Sequence, residues 1–433
     1  MTQRQQYIKH LFQSVLIDQY VLLKFTDSNL LDIDQHSDLD ILIDRQDYKR
    51  VKINIEKHPS VMKLKVASKA SMKQLFIFFK DHSFLQVDLL FGFYRKSLEY
   101  MGRIEIMEHA YRNQEDILVC ANHHLLEHVF LFQILNFSGV PSKYIKYFND
   151  LGPEEKQRLE KYLFKKYNLI GSQLEQLEKY DRRNLLLVHN WLKIQPRNKG
   201  LSRVRKRLLY FADILQQIRS NRGFTITFSG VDGAGKSTII REVREILEFK
   251  YRRDVVVLRH RPSILPILSA YKHGKAAAEQ KAADTLPRQG GNKNSLSSLV
   301  RFGYYYTDYL LGQLYVKVKY HWRGYAVLYD RYYFDFIIDG RRSNIDLPAW
   351  MTTFLYRFVY HPPLNLFLYA DAETIRQRKQ ELELESIVEL TSEYKALFAN
   401  LSKRNQGDQY VAVENIEKEK TLKTIIDQYL ELI

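Results

Sequence analysis

Residues Phe224 to Thr238 read FTITFSGVDGAGKST, and this stretch decides the fold. Gly230, four residues, then Gly235, Lys236 and Ser237 reproduce the Walker A spacing without a gap. The β-formers Phe224, Ile226 and Phe228 alternate ahead of it, and Ile239, Ile240, Val243, Ile246 and Leu247 continue it at helical spacing. The pattern predicts a strand, a phosphate-binding loop and a helix. The alternative is a glycine-rich turn without a ligand.

Each residue type in the loop has a physical reason. Gly230, Gly233 and Gly235, with Ala234 between them, let the main chain take positive φ and bring its N–H groups close to phosphate oxygens. The helix that follows adds the partial positive charge of its N-terminus. Lys236 is expected to reach the β- and γ-phosphates of ATP, and Ser237 to hold Mg²⁺. Thr238 joins them at the helix start or simply caps it.

A chain of 433 residues exceeds one ordinary core, so two or three domains are expected. The single cysteine, Cys120, excludes a disulfide framework and a thiolate zinc site and suits a reducing cytoplasm; it lies in an apolar, helical-looking stretch and reads as a core residue. No N-terminal segment has the build of a signal peptide and no apolar run is long enough to span a bilayer, so a soluble, cytoplasmic protein without membrane contact is expected. The net charge of +16 favours anionic partners: nucleic acid, membrane surfaces, nucleotides or phosphorylated sugars.

Residues 1–115 carry a second signature. In LDIDQHSDLDILID, Asp38 and Asp40 alternate with Leu39, Ile41 and Ile43, which on a strand puts both carboxylates on one face. Asp88, in FLQVDLLFGF, follows at a distance that can return it to the same sheet, and three carboxylates there suit a two-metal nucleotidyl transfer site. The constellation resembles the DNA polymerase beta type nucleotidyltransferase fold over roughly residues 15–95 and implies a small α+β domain. It departs from that family's pattern, because KFTDSNLLDIDQHS has no Gly-Ser turn before Asp38; Lys24, Ser28 and Ser37 are the available substitutes. An active metal site, a decayed ligand-sensing copy and plain strand-end aspartates stay open.

From 116 to 221 the chain reads as helical, with Leu125, Leu126, Val129, Phe132 and Leu135 on one apolar face. HLLEH, with His124, Glu127 and His128, formally matches a zinc peptidase pattern, but reads as a polar helix face. Residues 194–222 form a basic connector whose Arg203, Arg205, Lys206 and Arg207 read as a solvated helix face, with a nucleic acid contact as the alternative.

From 222 to 433, strand-like runs alternate with helical ones: FTITF, VVVL at Val255, YAVLY at Tyr325, LNLFLY at Leu364 and YVAV at Tyr410. Apolar strands separated by amphipathic segments predict an α/β domain, a parallel sheet with helices on both faces and the ligand at the strands' carboxyl ends. Arg259, His260, Arg261 and Pro262 follow the second strand, and Asp330 and Arg331 follow the third. Asp371, after the fourth, reads as a helix cap. Residues 272–295 read as a mobile loop over the site or a surface insertion.

SGVDGAGKST and YDRYYFD together resemble the thymidylate kinase branch of the P-loop kinases, over roughly 222–433. The resemblance implies an ATP- and Mg²⁺-dependent phosphotransferase in which Asp330 organises metal and acceptor, Arg331 grips the acceptor phosphate and Asp232 points toward the transfer site. A structural Asp330–Arg331 ion pair is the alternative. Gly233 stands where that loop type carries its arginine, so the missing charge is expected from a shortened lid holding Arg376, Arg378 and Lys379. The family's Arg-Glu-Pro-Gly type turn is replaced by Arg259 to Ser263, and Asp335, Asp339, Arg341 and Arg342 add charge beyond the Asp-Arg pair. Tyr304, Tyr305 and Asp308 lie on the helix that ought to flank the acceptor. A nucleoside monophosphate is the implied acceptor, with a sugar as the other candidate, and the resemblance admits a homodimer. Nucleic acid is not favoured as a partner. The competing readings are nucleotidyl transfer by the N-terminal domain, alone or in a bifunctional chain, and a non-catalytic nucleotide-gated binding protein.

Overall fold

Alternating apolar residues build a sheet that is covered on both sides in the first 220 residues. The computed structural model describes all residues except 17–18, 27–28, 221–222, 263, 266–294, 381 and 405–406, together with the side chains of 217–220. The chain divides into two units, Met1–Ser220 and Asn221–Ile433. Ser28, Ser263 and nearly all of the 272–295 stretch lie outside the described residues.

In the first unit the chain runs α1 (Gln3–His10), β1 (Tyr20–Leu23), β2 (Leu39–Ile43), α2 (Tyr48–Lys57), β3 (Val61–Lys69), β4 (Met72–Phe79) and β5 (Phe84–Leu90). It continues through β6 (Phe93–Arg95), β7 (Leu98–Met101), α3 (Arg103–Glu108), β8 (Tyr111–Arg112) and β9 (Leu118–Val119). Helices α4 (Asn122–Leu135), α5 (Ser142–Asp150), α6 (Pro153–Tyr167), α7 (Arg182–Ile194) and α8 (Gly200–Ser220) follow. The sheet order is β3-β4-β5-β2-β1-β9-β8, with β2/β5 and β1/β9 parallel and the other pairs antiparallel.

Period-two alternation assigns each strand residue to one of two cores. Leu39, Ile41, Ile43, Val87 and Leu89 join Tyr7, Leu11, Val51 and Ile55 on the side of α1 and α2. Leu42 and Leu90 join Leu125, Val129, Phe148, Leu163 and Leu192 on the other side. The helices beyond residue 116 therefore share a core with the sheet, and β9 extends that sheet past residue 115.

Three local expectations are corrected. Helix α4 is buried around its circumference, so His124, Glu127 and His128 are core residues and not a polar face. Cys120 is buried, but lies between β9 and α4 and not in a helix; burial pushes its thiol up to about 12. Glu127 accepts hydrogen bonds from Tyr162 Oη at 2.6 Å and from Tyr167 Oη, and its carboxylate meets Lys166 Nζ at 2.8 Å. The basic connector is corrected at one position: Lys206 is buried and pairs with Glu99 at 2.6 Å, whereas Arg205 and Arg207 are exposed.

The second unit runs β10 (Phe224–Ser229), α9 (Lys236–Glu245), β11 (Val255–Arg259), α10 (Ser295–Lys319), β12 (Ala326–Asp330), α11 (Phe334–Ile338) and α12 (Ala349–Tyr356). It closes with β13 (Leu364–Tyr369), α13 (Ala372–Arg378), α14 (Leu384–Arg404), β14 (Gln409–Glu414) and α15 (Lys418–Leu432). All five strands are parallel, in the order β11-β12-β10-β13-β14. One face packs on α10, α11 and α14 through an aromatic core that includes Tyr309, Tyr333, Phe334, Phe367, Tyr394 and Phe398. Helices α9 and α15 contact each other and the sheet's strands, and Phe224 meets Tyr429 at 4.8 Å. The unit is thus α/β with its central strand leading directly into the glycine loop. Among the described residues no helix is long and apolar enough to cross a membrane.

Burial pushes the Glu127 carboxyl up, but His124, Lys166 and Tyr162 outweigh it and hold the group at about 2. An acid held below its ordinary value of 4.5 contributes stability that is complete above pH 4.5 and lost as pH falls toward 2. Glu127→Gln should therefore cost about 2–3 kcal/mol at pH 7 and flatten the loss of stability between pH 4.5 and about 2. Urea unfolding followed by Trp191, which lies 4.8 Å from the Tyr167 ring, in a Trp322→Phe, Trp350→Phe background checks both.

Candidate functional site

The glycine loop leaves β10 at the sheet's centre, between β12 and β13. At Gly230 (φ +153) a Cβ would sit 2.4 Å from the Leu368 carbonyl oxygen, so only glycine lets the loop pass this close to β13. Gly235 (φ +82) is the N-cap of α9. Lys236 is buried, and its Nζ donates to the carbonyl oxygens of Gly230 at 2.8 Å and Val231 at 3.0 Å. Burial and the nearby Arg331 push its ammonium down to about 7. Ser237 and Thr238 are exposed on the first turn of α9.

The Asp330–Arg331 end of β12 lies against this loop because Phe228 and Asp330 are register partners. Arg331 takes φ +75, its N–H bonds to the Phe228 carbonyl at 2.9 Å, and its guanidinium turns to the loop. It meets Asp232 at 2.5 Å and Asp335 at 2.7 Å. These two carboxylates, and not Asp330, are its ion-pair partners. Arg342 also pairs with Asp232, and Lys236 Nζ stands 3.9 Å from it. Burial pushes Asp232 up, but Arg331, Lys236 and Arg342 together hold it well below the usual carboxylate range. Ala234, buried in the loop, is held by a residue that sequence reasoning passed over: Asn415, just after β14, donates to its carbonyl at 2.8 Å. Tyr394, which bonds Asp335 at 2.9 Å, was also missed. The signal for Asn415 was its position at a strand's carboxyl end.

The lid cations separate. Arg378 Nη1 is 3.4 Å from the Asn415 carbonyl, and Lys379 Cβ would lie 3.3 Å from a Cβ at Gly233, so both border the loop. Arg376 is largely exposed and pairs with Glu383 at 3.5 Å. Asp371 caps α13 through Thr374 N at 2.8 Å. At the end of β11, Arg261 pairs with the buried Asp308 and its guanidinium lies 5.0 Å from the Tyr305 ring, so that charge is satisfied internally. His260 is half-buried, takes φ +63, and is pushed down to about 4, mainly because its ring is withdrawn from water.

Ser237 and Asp330 offer hard oxygen donors that make no hydrogen bond or ion pair among the described residues, a donor set that fits Mg²⁺. The loop's N–H groups, Lys236 and the end of α9 suit a polyphosphate. Arg331, Arg342, Arg378 and Lys379 border the same place, where a second anion can be held.

In the first unit, register brings Asp40 directly beside Asp88 on parallel strands. One carboxylate oxygen from each of Asp38, Asp40 and Asp88 lies within 4.8 Å of the others, and no other such trio of potential metal ligands occurs among the described residues. Asp40 and Asp88 are buried, facing the α4 side of the sheet. Lys24 Nζ reaches Asp40 at 2.7 Å, whereas amides serve Asp88: Gln86 at 2.9 Å and Gln74 at 3.2 Å. Burial and the adjacent Asp40 push Asp88 up to about 6. Three carboxylates crowded this closely fit a divalent metal ion. They open on a cavity of about 850 Å³. Ser37, one substitute for the missing turn, is tied through its carbonyl to Arg4 at 3.4 Å.

No family model matches the chain. Over 175 residues, 40% of this chain and 76% of the relative, the sequence is 27% identical to the thymidylate kinase of Enterococcus faecalis (strain ATCC 700802 / V583). A crystal structure of thymidylate kinase from Ehrlichia chaffeensis aligns with a TM-score of 0.31 and 16% identity, covering 48% of this chain and 98% of that one.

Gly230→Ala should lower the stability of the second unit by about 2 kcal/mol or more, through a strained φ and the clash at Leu368. Gly303→Ala is the control: nothing lies within 4 Å of its Cβ position inside α10, so a gain of up to about 1 kcal/mol is expected there. Thermal unfolding of both variants beside the parent protein checks the contrast.

Proposed function

We propose that the second unit is an ATP- and Mg²⁺-dependent phosphotransferase of the nucleoside monophosphate kinase type, and that the matched 175 residues belong to it. The junction of loop and strand end, with Arg331 on Asp232, carries this reading. It puts a donor-phosphate cradle beside an arginine suited to an acceptor phosphate. The glycine loop and Lys236 would take the β- and γ-phosphates. Arg331 would exchange Asp232 for the acceptor phosphate, whose oxygen attacks the γ-phosphorus. The bond to the β-phosphate breaks and ADP leaves with the electron pair. Arg378 or Lys379 would offset charge on the transferring group, the part a loop arginine plays elsewhere. Ser237 and Asp330 would hold Mg²⁺, which neutralises phosphate charge when bound. Thymidylate is the first acceptor to try and a sugar or sugar phosphate the second. A reducing compartment such as the cytoplasm suits the single buried thiol.

A second reading rests on the aspartate trio, which supports nucleotidyl transfer in the first unit. The two activities have separate signatures. Acceptor-dependent ADP formation should fall at least about a thousandfold in Lys236→Ala, measured across nucleoside monophosphates and sugars; turnover that survives this change sinks the kinase reading. Pyrophosphate release should disappear in Asp38→Ala and Asp40→Ala yet persist in Lys236→Ala. If it is indifferent to both aspartates, the second reading fails.

A further inference from the structure

Helix α8 has two faces that the fold treats differently. On one, the buried Lys206 pairs with Glu99 of β7 at 2.6 Å, and Asp213, one heptad further on, accepts a hydrogen bond from the Ala70 N–H at 2.7 Å. Leu201, Val204, Leu208, Phe211 and Leu215 are spaced by three and four residues in turn, and at about 3.6 residues per turn they lie opposite that anchored face. All five are 54–88% exposed, so α8 turns a continuous apolar stripe away from its own unit. A surface helix ordinarily turns such a stripe toward the core. Single exposed leucines are common, but a row of them at consecutive a and d positions of a heptad marks an interaction surface.

Heptad spacing fits one kind of cover, a second helix whose side chains enter the gaps between these residues. Arg205 and Arg207 are exposed at the two borders of the stripe and keep it narrow, which suits two strands better than a wider bundle. In a parallel, in-register pair, Arg207 faces Ala212 of the second copy and Arg205 faces its Gly200, so no like charges oppose across the seam. We infer that α8 pairs in parallel with α8 of a second copy of this chain, through Leu201, Val204, Leu208, Phe211 and Leu215. At the exposures above, the seam would bury roughly 1,000 Å² across both copies, the size at which specific interfaces begin. It lies outside residues 222–433, which carry the resemblance to thymidylate kinases, and it depends on neither proposed activity.

The test measures the mass of the full chain by sedimentation equilibrium across micromolar concentrations. The parent protein should be a dimer, and Leu208→Glu and Phe211→Glu should each weaken association about a hundredfold or more, because the symmetric seam would then bury two unpaired charges. Both side chains are exposed within one copy, so the far-ultraviolet circular dichroism of these variants should match the parent's, which separates loss of pairing from misfolding. Ala212→Glu gives Arg207 of the second copy an ion-pair partner and should tighten the dimer about threefold or more, whereas Ala212→Arg opposes that arginine and should loosen it by a similar factor. Apolar adhesion without a heptad seam would not tell these two changes apart. A parent chain that stays monomeric overturns the inference. A dimer that survives Leu208→Glu and Phe211→Glu, or that responds alike to Ala212→Glu and Ala212→Arg, overturns it as well.

Discussion

One carboxylate organises the glycine-loop end of the second unit. Asp232 lies in the glycine loop and faces three cations: Arg331 from the end of β12, Arg342 from the segment after α11, and Lys236 from the first turn of α9. Burying that many like charges together is costly unless an anion separates them. Asp335 shares the load by pairing with Arg331 from below, where Tyr394 of α14 bonds its other oxygen. Loop, strand end and flanking helices are thereby joined by charge, while Gly230 and Asn415 set how closely the loop lies against the sheet. The same cations that stabilise the resting arrangement are the groups an anionic ligand would recruit.

The first unit solves the opposite problem. Its sheet buries the carboxylates of Asp40 and Asp88 side by side, and Lys24 pairs with Asp40. Gln74 and Gln86 satisfy hydrogen bonds at Asp88 without cancelling its charge. The two carboxylates are buried because both faces of β2 and β5 are covered, one by α1 and α2 and the other beneath α4. Elsewhere in the unit the same covering produces a fully answered cluster: Glu127 is bonded by two tyrosines and a lysine. Buried acids in one domain are thus of two kinds. Glu127 is surrounded by donors and belongs to the core, while the aspartates adjoin a cavity.

Much was legible in the chain itself. The five strands of the second unit, the helix after the loop and the cap at Asp371 all follow from local pattern, because period, turn residues and capping are short-range properties. Alternation put Asp38 and Asp40 on one face and chain distance let Asp88 return to the same sheet, while the register itself sets Asp40 beside Asp88. Local pattern misled where burial decided the outcome. HLLEH has the composition of a polar helix face, yet α4 packs on α6 and α7, and its Glu127 is answered by Tyr162, Lys166 and Tyr167 of α6. Lys206 sits in a run of basic residues and is buried because Glu99 of β7 meets it.

By itself the sequence determined a glycine loop on a parallel sheet, a strand-ending Asp-Arg pair and an Asp-x-Asp strand, since each is encoded within about a dozen residues. Tertiary structure alone decided which charges meet: Arg331 with Asp232 and Asp335, Arg261 with Asp308, and Lys24 with Asp40. The physical reason is range. Backbone preference and alternation act between near neighbours, whereas the partner of a buried charge is chosen by which strand ends the sheet order brings side by side.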